Sequence, residues 1–218
     1  MEKQLTYKQY QIKIKGPINA KHLVYFIGGE TILDLDTTHY LIITISGVDW
    51  DAQLSPWPAL KVFKQGHDFG GLADTFITDL IAITQLSEQA LALKQVHRIL
   101  CGYSLAGLFT LYAITNTDYF EEAISCSGSL WFDGFKTYAL THPPRGVKAI
   151  YLSLGSNEKN TRNQRMQVVE RVSEDVATYY QSQGINNRFE LVEGGHFDNV
   201  EERVNRGLDW IASQYPKD

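Results

Sequence analysis

Three residues in this chain could together make an alcohol attack a carbonyl. Ser104 sits in Gly102-Tyr103-Ser104-Leu105-Ala106-Gly107. A serine hydroxyl is a weak nucleophile until a base takes its proton, and a histidine near neutral pH suits that exchange. His196 follows Gly194-Gly195, where small neighbours let the ring swing toward a strand end. An acid must hold the imidazole in the right tautomer and stabilise the imidazolium. Glu158, after Gly155-Ser156-Asn157, is the acid expected there, with Asp198 and Glu193 as rivals nearer to His196 in sequence. His22, His39, His67, His97 and His142 are read as surface or satisfied core residues.

The elements around these residues say how they could meet. Val96 to Cys101 is short, apolar and β-branched, so it reads as a buried strand, and Leu105 to Ile114 repeats its apolar residues at helical spacing. Ser104 therefore stands at a strand-to-helix turn, the setting of a nucleophile elbow. The pattern is G-x-S-x-A-G: Gly102 fits, and Ala106 departs by one methyl. A helix-capping serine is the plain alternative on this stretch alone.

Tyr7 to Lys15 alternates as one half-solvated strand. His22–Ile27 runs into Gly28-Gly29-Glu30, and Tyr40–Ile45 is the most β-like run. A long loop, Ser46 to Ala59, carries Trp50 and Trp57, and a second irregular stretch, Phe63 to Gly71, carries Phe69. Ala73 to about Lys94 reads as a helix. Glu122 to Ser127, Lys148 to Gly155 and Arg188 to Glu193 read as strands, and Met166 to Gln183 and Asn199 to Gln214 as helices, the last burying Val200, Val204, Leu208 and Ile211. Strands alternating with helices predict an α/β fold: a mostly parallel central sheet with helices on both faces. No repeat or linker divides the chain, so 1–218 is expected to form one domain.

Composition bounds the function. The net charge of −5 and the scattered basic residues argue against nucleic acid or an anionic membrane surface as partner. No apolar run approaches the roughly 20 residues of a membrane span, and the polar start lacks a signal peptide core. Cys101 and Cys126 fall in predicted buried strands, so reduced thiols and a cytoplasmic setting are expected, and no metal or organic cofactor is implied.

In such sheets ligands gather at the carboxyl ends of the strands. Gly28-Gly29-Glu30, Ser104, Glu158 and His196 all follow strands, and the order serine, acid, histidine is that of the α/β-hydrolase arrangement. Oxyanion donors are expected from the N–H of Leu105 and from the Gly29–Glu30 loop.

The chain resembles the esterases of the α/β-hydrolase superfamily that include the enterobactin (enterochelin) esterase-like proteins and, more distantly, esterase D. The carriers are Gly102 to Tyr112 (GYSLAGLFTLY), Ser127 to Phe132 (SGSLWF), Leu154 to Glu158 (LGSNE) with Met166 downstream, and Gly194 to Phe197 (GGHF). The resemblance covers the chain from His22 to the last helix. It implies a serine hydrolase of carboxylic esters acting through an acyl-enzyme on Ser104, with His196 as base. Gly28 departs from relatives that carry histidine or aspartate after this strand. The chain is too short for a large cap domain, so the Trp50, Trp57 and Phe69 loops must shape the pocket. Trp50, Trp57, Tyr103, Trp131, Phe132 and Phe135 could line an aromatic cleft suited to aryl or catechol-type esters, or could equally be core. A thioesterase or peptidase on the same machinery, and a non-catalytic binding protein of the same fold, are the alternatives.

Overall fold

The computed structural model describes residues 1–29, 33–94 and 96–215. Eight strands form one sheet in the order β1-β2-β4-β3-β7-β8-β9-β10. They are β1 (Glu2–Tyr7), β2 (Tyr10–Lys15), β3 (His22–Ile27), β4 (Tyr40–Ser46), β7 (His97–Tyr103), β8 (Glu122–Cys126), β9 (Ala149–Gly155) and β10 (Asn186–Val192). The pairs from β4 across to β10 are parallel, while β2 is antiparallel to both β1 and β4. Within this sheet β2 therefore runs against the other seven strands. A small separate ladder, β5 (Pro58–Ala59) with β6 (Phe69–Gly70), ties down the long loop after β4.

Strand alternation divides the core in two. Leu23, Tyr25, Ile27 and Leu100 point to the face covered by α2 (Ala73–Ala90), α3 (Leu105–Asn116) and α5 (Val169–Ser182). Val24, Phe26, Ile99 and Cys101 point to the face covered by α6 (Val200–Ala212) through Val204, Leu208 and Ile211. Helices thus lie on both faces, as the sequence pattern requires. α3 is buried nearly all round, so its residues are apolar on every side. Cys101 and Cys126 are free and buried on the α6 face.

Three expectations need correcting. The alternating run Tyr7 to Lys15 is not one strand: the chain reverses at Lys8 and Gln9, pairing Tyr7 with Tyr10. Lys8 takes the left-handed turn (φ 51°) without a glycine to mark it, and its ammonium pairs with buried Asp79 of α2. Helix α2 ends at Ala90 rather than near Lys94. Ala92 (φ 52°) closes it, with Leu93 N–H donating to Glu88 O and Ala92 N–H to Gln89 O, a glycine-free version of a common helix stop. The Ser46–Ala59 stretch is not wholly irregular either. It contains the short helix α1 (Trp50–Gln53), capped by Asp49, whose side chain accepts from Ala52 N–H at 3.2 Å.

The chain turns back on itself in the sheet between β3 and β7, because β4 lies to one side of β3 and β7 to the other. That switch point opens a crevice at the carboxyl ends of the two strands. Gly28-Gly29 leave β3 there and Ser104 leaves β7 there.

One buried group lies outside this region. Glu122, the first residue of β8, is fully buried, and neither carboxylate oxygen has a hydrogen-bond partner among the described residues. Burial, and secondarily the charge of Glu121, pushes its carboxyl up to about 7 from an ordinary value of 4.5. The native state then keeps a proton that the unfolded chain has already lost, so stability falls as pH rises from about 4.5 through about 7. Glu122→Gln is expected to remove about 2 kcal/mol of the fall in stability between pH 5 and pH 8. Urea unfolding at the two pH values reads this directly, and an undiminished fall in the variant would show that Glu122 does not hold that proton.

Candidate active site

The site is built from the end of β7 upward. Ser104 has φ 59° and ψ −123°, a conformation costly for a residue with a side chain and the one a nucleophile elbow imposes. Its backbone is fixed on both sides: Ser104 N–H donates to Cys126 O at 3.0 Å, and Ser104 O accepts from Leu108 and Ser129 N–H at 3.1 and 3.0 Å. A Cβ on Gly102 would come within 2.2 Å of Ala106 O and 2.9 Å of the Ala106 methyl, so position 102 must be glycine. The same contact explains Ala106. With no side chain at 102, the crossing has room for one methyl, and it lies on the helix. The other close approach is one residue later, where a Cβ on Gly107 would meet Gly128 Cα at 3.0 Å.

His196 reaches Ser104 from the loop after β10, and Glu158 reaches His196 from the loop after β9. Ser104 Oγ lies 2.9 Å from His196 Nε2, and His196 Nδ1 lies 2.7 Å from Glu158 Oε2. An ionised carboxylate can only accept, so Nδ1 carries the hydrogen and Nε2 is left to accept from the serine. The two loops are tied together, Asn157 N–H donating to Gly194 O at 3.0 Å.

Glu158 is nearly buried, with 6% of its side chain exposed. Burial raises its carboxyl, but the hydrogen bond and charge of His196, the Ser127 hydroxyl and Gly155 N–H together outweigh that and hold it below the ordinary value. Ser127 Oγ and Gly155 N–H each donate to Oε1 at 2.7 Å. The rivals are placed elsewhere. Asp198 is exposed and accepts from Gly195 N–H at 2.8 Å, bracing the histidine loop, and Glu193 is exposed.

Two further groups complete the arrangement. Arg203 of α6 contacts Glu158 Oε1 at 3.1 Å, and the Tyr103 hydroxyl donates to the carbonyl of His196 at 2.7 Å. Neither these contacts nor the role of Ser127 was anticipated from sequence. The available signal was a cationic residue on the buried stripe of α6, between Val200 and Val204.

A cavity of about 560 Å³ opens over Ser104 and His196. Phe26, Leu33, Trp50, Phe69, Tyr103 and Trp131 are among its walls, and Phe63 and Phe197 lie at its rim, 60% and 85% exposed. Leu105 and Gly29 line it beside the serine. Leu105 heads α3, so its N–H has no carbonyl within the helix to meet. Glu30, the other expected oxyanion donor, lies outside the described residues.

Trp57 is the expected pocket residue that does not belong. Its indole N–H donates to Asp133 O at 2.9 Å, and its ring packs on Tyr112, Phe132 and Tyr138. It buttresses the loop after β4 rather than facing the serine. Phe132 and Phe135 are likewise core, not wall.

Comparison with known proteins places this chain in a family. The family model described as "Putative esterase" matches residues 28–199. The uncharacterized protein YbbA of Bacillus subtilis (strain 168) is 28% identical over 111 residues, 49% of this chain and 44% of that one. The chain thus spans less than half the length of that relative. Among solved structures, the siderophore hydrolase EstA from Aspergillus nidulans superposes with a TM-score of 0.75 at 18% identity, covering 98% of this chain and 94% of that one. An IroE-like serine hydrolase from Shewanella oneidensis superposes with a TM-score of 0.73 at 17% identity, covering 100% of this chain and 81% of that one. At such identities these structures carry the fold alone, an α/β-hydrolase sheet, and no large cap is inserted among the described residues of this chain. With most of its length matched by the family model, the chain belongs to the Putative esterase family.

Proposed function

We propose that the protein hydrolyses carboxylic esters through an acyl-enzyme on Ser104, with His196 as general base and Glu158 orienting it. The observation that carries this reading is the unbroken run of hydrogen bonds Ser104–His196–Glu158 beneath an apolar cavity. Ser104 Oγ attacks the ester carbonyl while its proton passes to His196 Nε2. The tetrahedral oxyanion is met by the N–H of Leu105, at the positive end of α3, and by the loop of Gly29. Collapse breaks the ester C–O bond, and the imidazolium returns the proton to the departing alcohol. His196 then deprotonates a water, which attacks the acyl carbon, and Ser104 leaves with its proton restored.

The substrate is a small ester with a bulky apolar or aryl part. Phe26, Trp50, Phe69 and Trp131 offer such a group flat contact area, and few polar side chains line the walls. Aryl and catechol-type esters suit that lining, and two structural neighbours are named siderophore hydrolases. The free buried thiols of Cys101 and Cys126 support a cytoplasmic setting.

A series of p-nitrophenyl esters from acetate to octanoate and benzoate, set beside a matched thioester and anilide, tests the reading. The expected result is kcat/KM rising about tenfold from acetate to the aryl or medium-chain acyl groups, as apolar contact accumulates. Faster turnover of the thioester or anilide would point instead to a thioesterase or a peptidase. No turnover of any of them would leave the fold as a binding module.

A further inference from the structure

Arg203 is the largest fully buried side chain among the described residues. A guanidinium without water is costly to hold unless its charge and donors are matched. Here the match is incomplete, since Nε has no hydrogen-bond partner among the described residues. Each of the other two nitrogens is engaged. Nη2 donates to Gly195 O at 2.7 Å. Nη1 lies 2.7 Å from Ser127 Oγ, 3.0 Å from the Tyr103 hydroxyl and 3.1 Å from Glu158 Oε1, three acceptors for two N–H bonds. These partners come from four separate segments. Tyr103 precedes the nucleophile, Ser127 follows β8, Glu158 is the acid, and Gly195 precedes the base.

We propose that Arg203 is a positioning residue for ester hydrolysis, one guanidinium holding the acid and the histidine loop at fixed separation while it shares the acid's charge. This rests on the acyl-enzyme reading above. Glu158 presents Oε2 to His196 and Oε1 to Arg203, so the carboxylate is divided between two cations when the imidazole is protonated. Without Arg203 the whole anion faces the imidazole, which then keeps its proton to higher pH and is a poorer base at neutrality.

The other groups near the guanidinium do not take its place. Tyr103 and Cys126 are both pushed to about 12, chiefly by burial, and stay neutral. Asp198 is exposed and engaged by Gly195 N–H, and Glu202 and Arg206 pair with each other on the outer face of α6. His196 is faced by Glu158, Ser104 and the Tyr103 ring.

The test compares wild type, Arg203→Met and Arg203→Lys in kcat, KM and the pH profile of kcat/KM, with folding followed by near-ultraviolet circular dichroism. Arg203→Met is expected to lower kcat about 100-fold, the cost of a misplaced catalytic group. Its KM should stay within about twofold, because no substrate contact is lost. Its acid limb should move up by about one pH unit. Arg203→Lys restores the charge but cannot bridge Glu158 and Gly195, so its acid limb returns to the wild-type position while kcat stays about tenfold low. A wild-type profile in Arg203→Met, or a loss of activity that merely follows the folded fraction with the limb unmoved, would overturn the proposal. Should the methionine variant not fold, full wild-type kcat in the lysine variant overturns it, and the tenfold loss with an unmoved limb supports it. Labelling of wild-type Ser104 by a fluorophosphonate separates the two claims. No label means the acyl-enzyme reading has failed, whereas label with an indifferent Arg203 means only this one has.

Discussion

Ser104→Ala is expected to lower kcat by about five orders of magnitude while leaving KM within a few-fold. On the proposed mechanism the alanine removes the atom that would form the acyl bond, yet leaves in place Phe26, Trp50 and Trp131, which line the cavity. What remains is the help that a bound ester receives from the oxyanion donors alone. Fold should be unaffected. Ser104 Oγ has His196 as its hydrogen-bond partner, and the strained backbone at 104 is held by contacts of its N–H and carbonyl that alanine keeps. Steady-state kinetics on purified variant, with a fluorophosphonate probe as a check for contaminating hydrolase, reads the effect. Residual activity above about 1% of wild type would show that another nucleophile does the work.

Glu158→Gln is expected to cost about four orders of magnitude in kcat at neutral pH, with little change in the position of His196. The glutamine amide can donate to Nδ1, which puts the imidazole hydrogen on Nε2, and the serine then has no base to accept its proton. This variant carries a second cost that Ser104→Ala does not. Arg203 stays fully buried without the carboxylate that faces it, a loss of about 3 kcal/mol by the usual cost of breaking a buried pair. The pH dependence gives the sign. Because Glu158 is held below its ordinary 4.5, it contributes stability that is complete above that value and lost as pH falls through the lower folded value. The gap in stability between wild type and variant should therefore be full at neutrality and close in acid. Chemical unfolding at pH 7 and at about pH 3 measures both ends of that window.

Much of this site could be read from the chain because its parts are local. Gly102 and Ser104 declare a strand-to-helix turn, and Gly194-Gly195-His196 follows the last strand. The acid is the less local part. Asp198 is nearer to His196 in sequence, but it follows the histidine on the same loop and braces that loop's backbone. Glu158, one strand over, approaches from the side that Nδ1 faces. Placement at the carboxyl end of a neighbouring strand, rather than distance along the chain, distinguishes the two.

What escaped the sequence depends on contacts made between distant segments. Trp57 looked like pocket wall because it shares a loop with Trp50. Which tryptophan faces the serine depends on how that loop is pinned, by the Trp57 indole to Asp133 O and by Arg165 to Asp133 and Leu60 O. The first hairpin was hidden because its turn rests on Lys8, and an alternating pattern reads the same through a reversal. Arg203 is hard to read from sequence because the apolar residues of α6 satisfy the helical period without it. A cation among them, one turn before Gly207, marked something other than packing.

The account turns on a covalent bond between substrate acyl group and Ser104. A p-nitrophenyl ester with a hindered acyl group, chosen to deacylate slowly, should be mixed with the protein and quenched in acid within the burst of p-nitrophenol. Intact mass and peptide mapping then locate the adduct. One acyl group per chain, on the peptide containing Ser104 and absent from Ser104→Ala, is the predicted result. Ester turnover with an adduct on any other residue, or with none on Ser104 in the wild type, would contradict it.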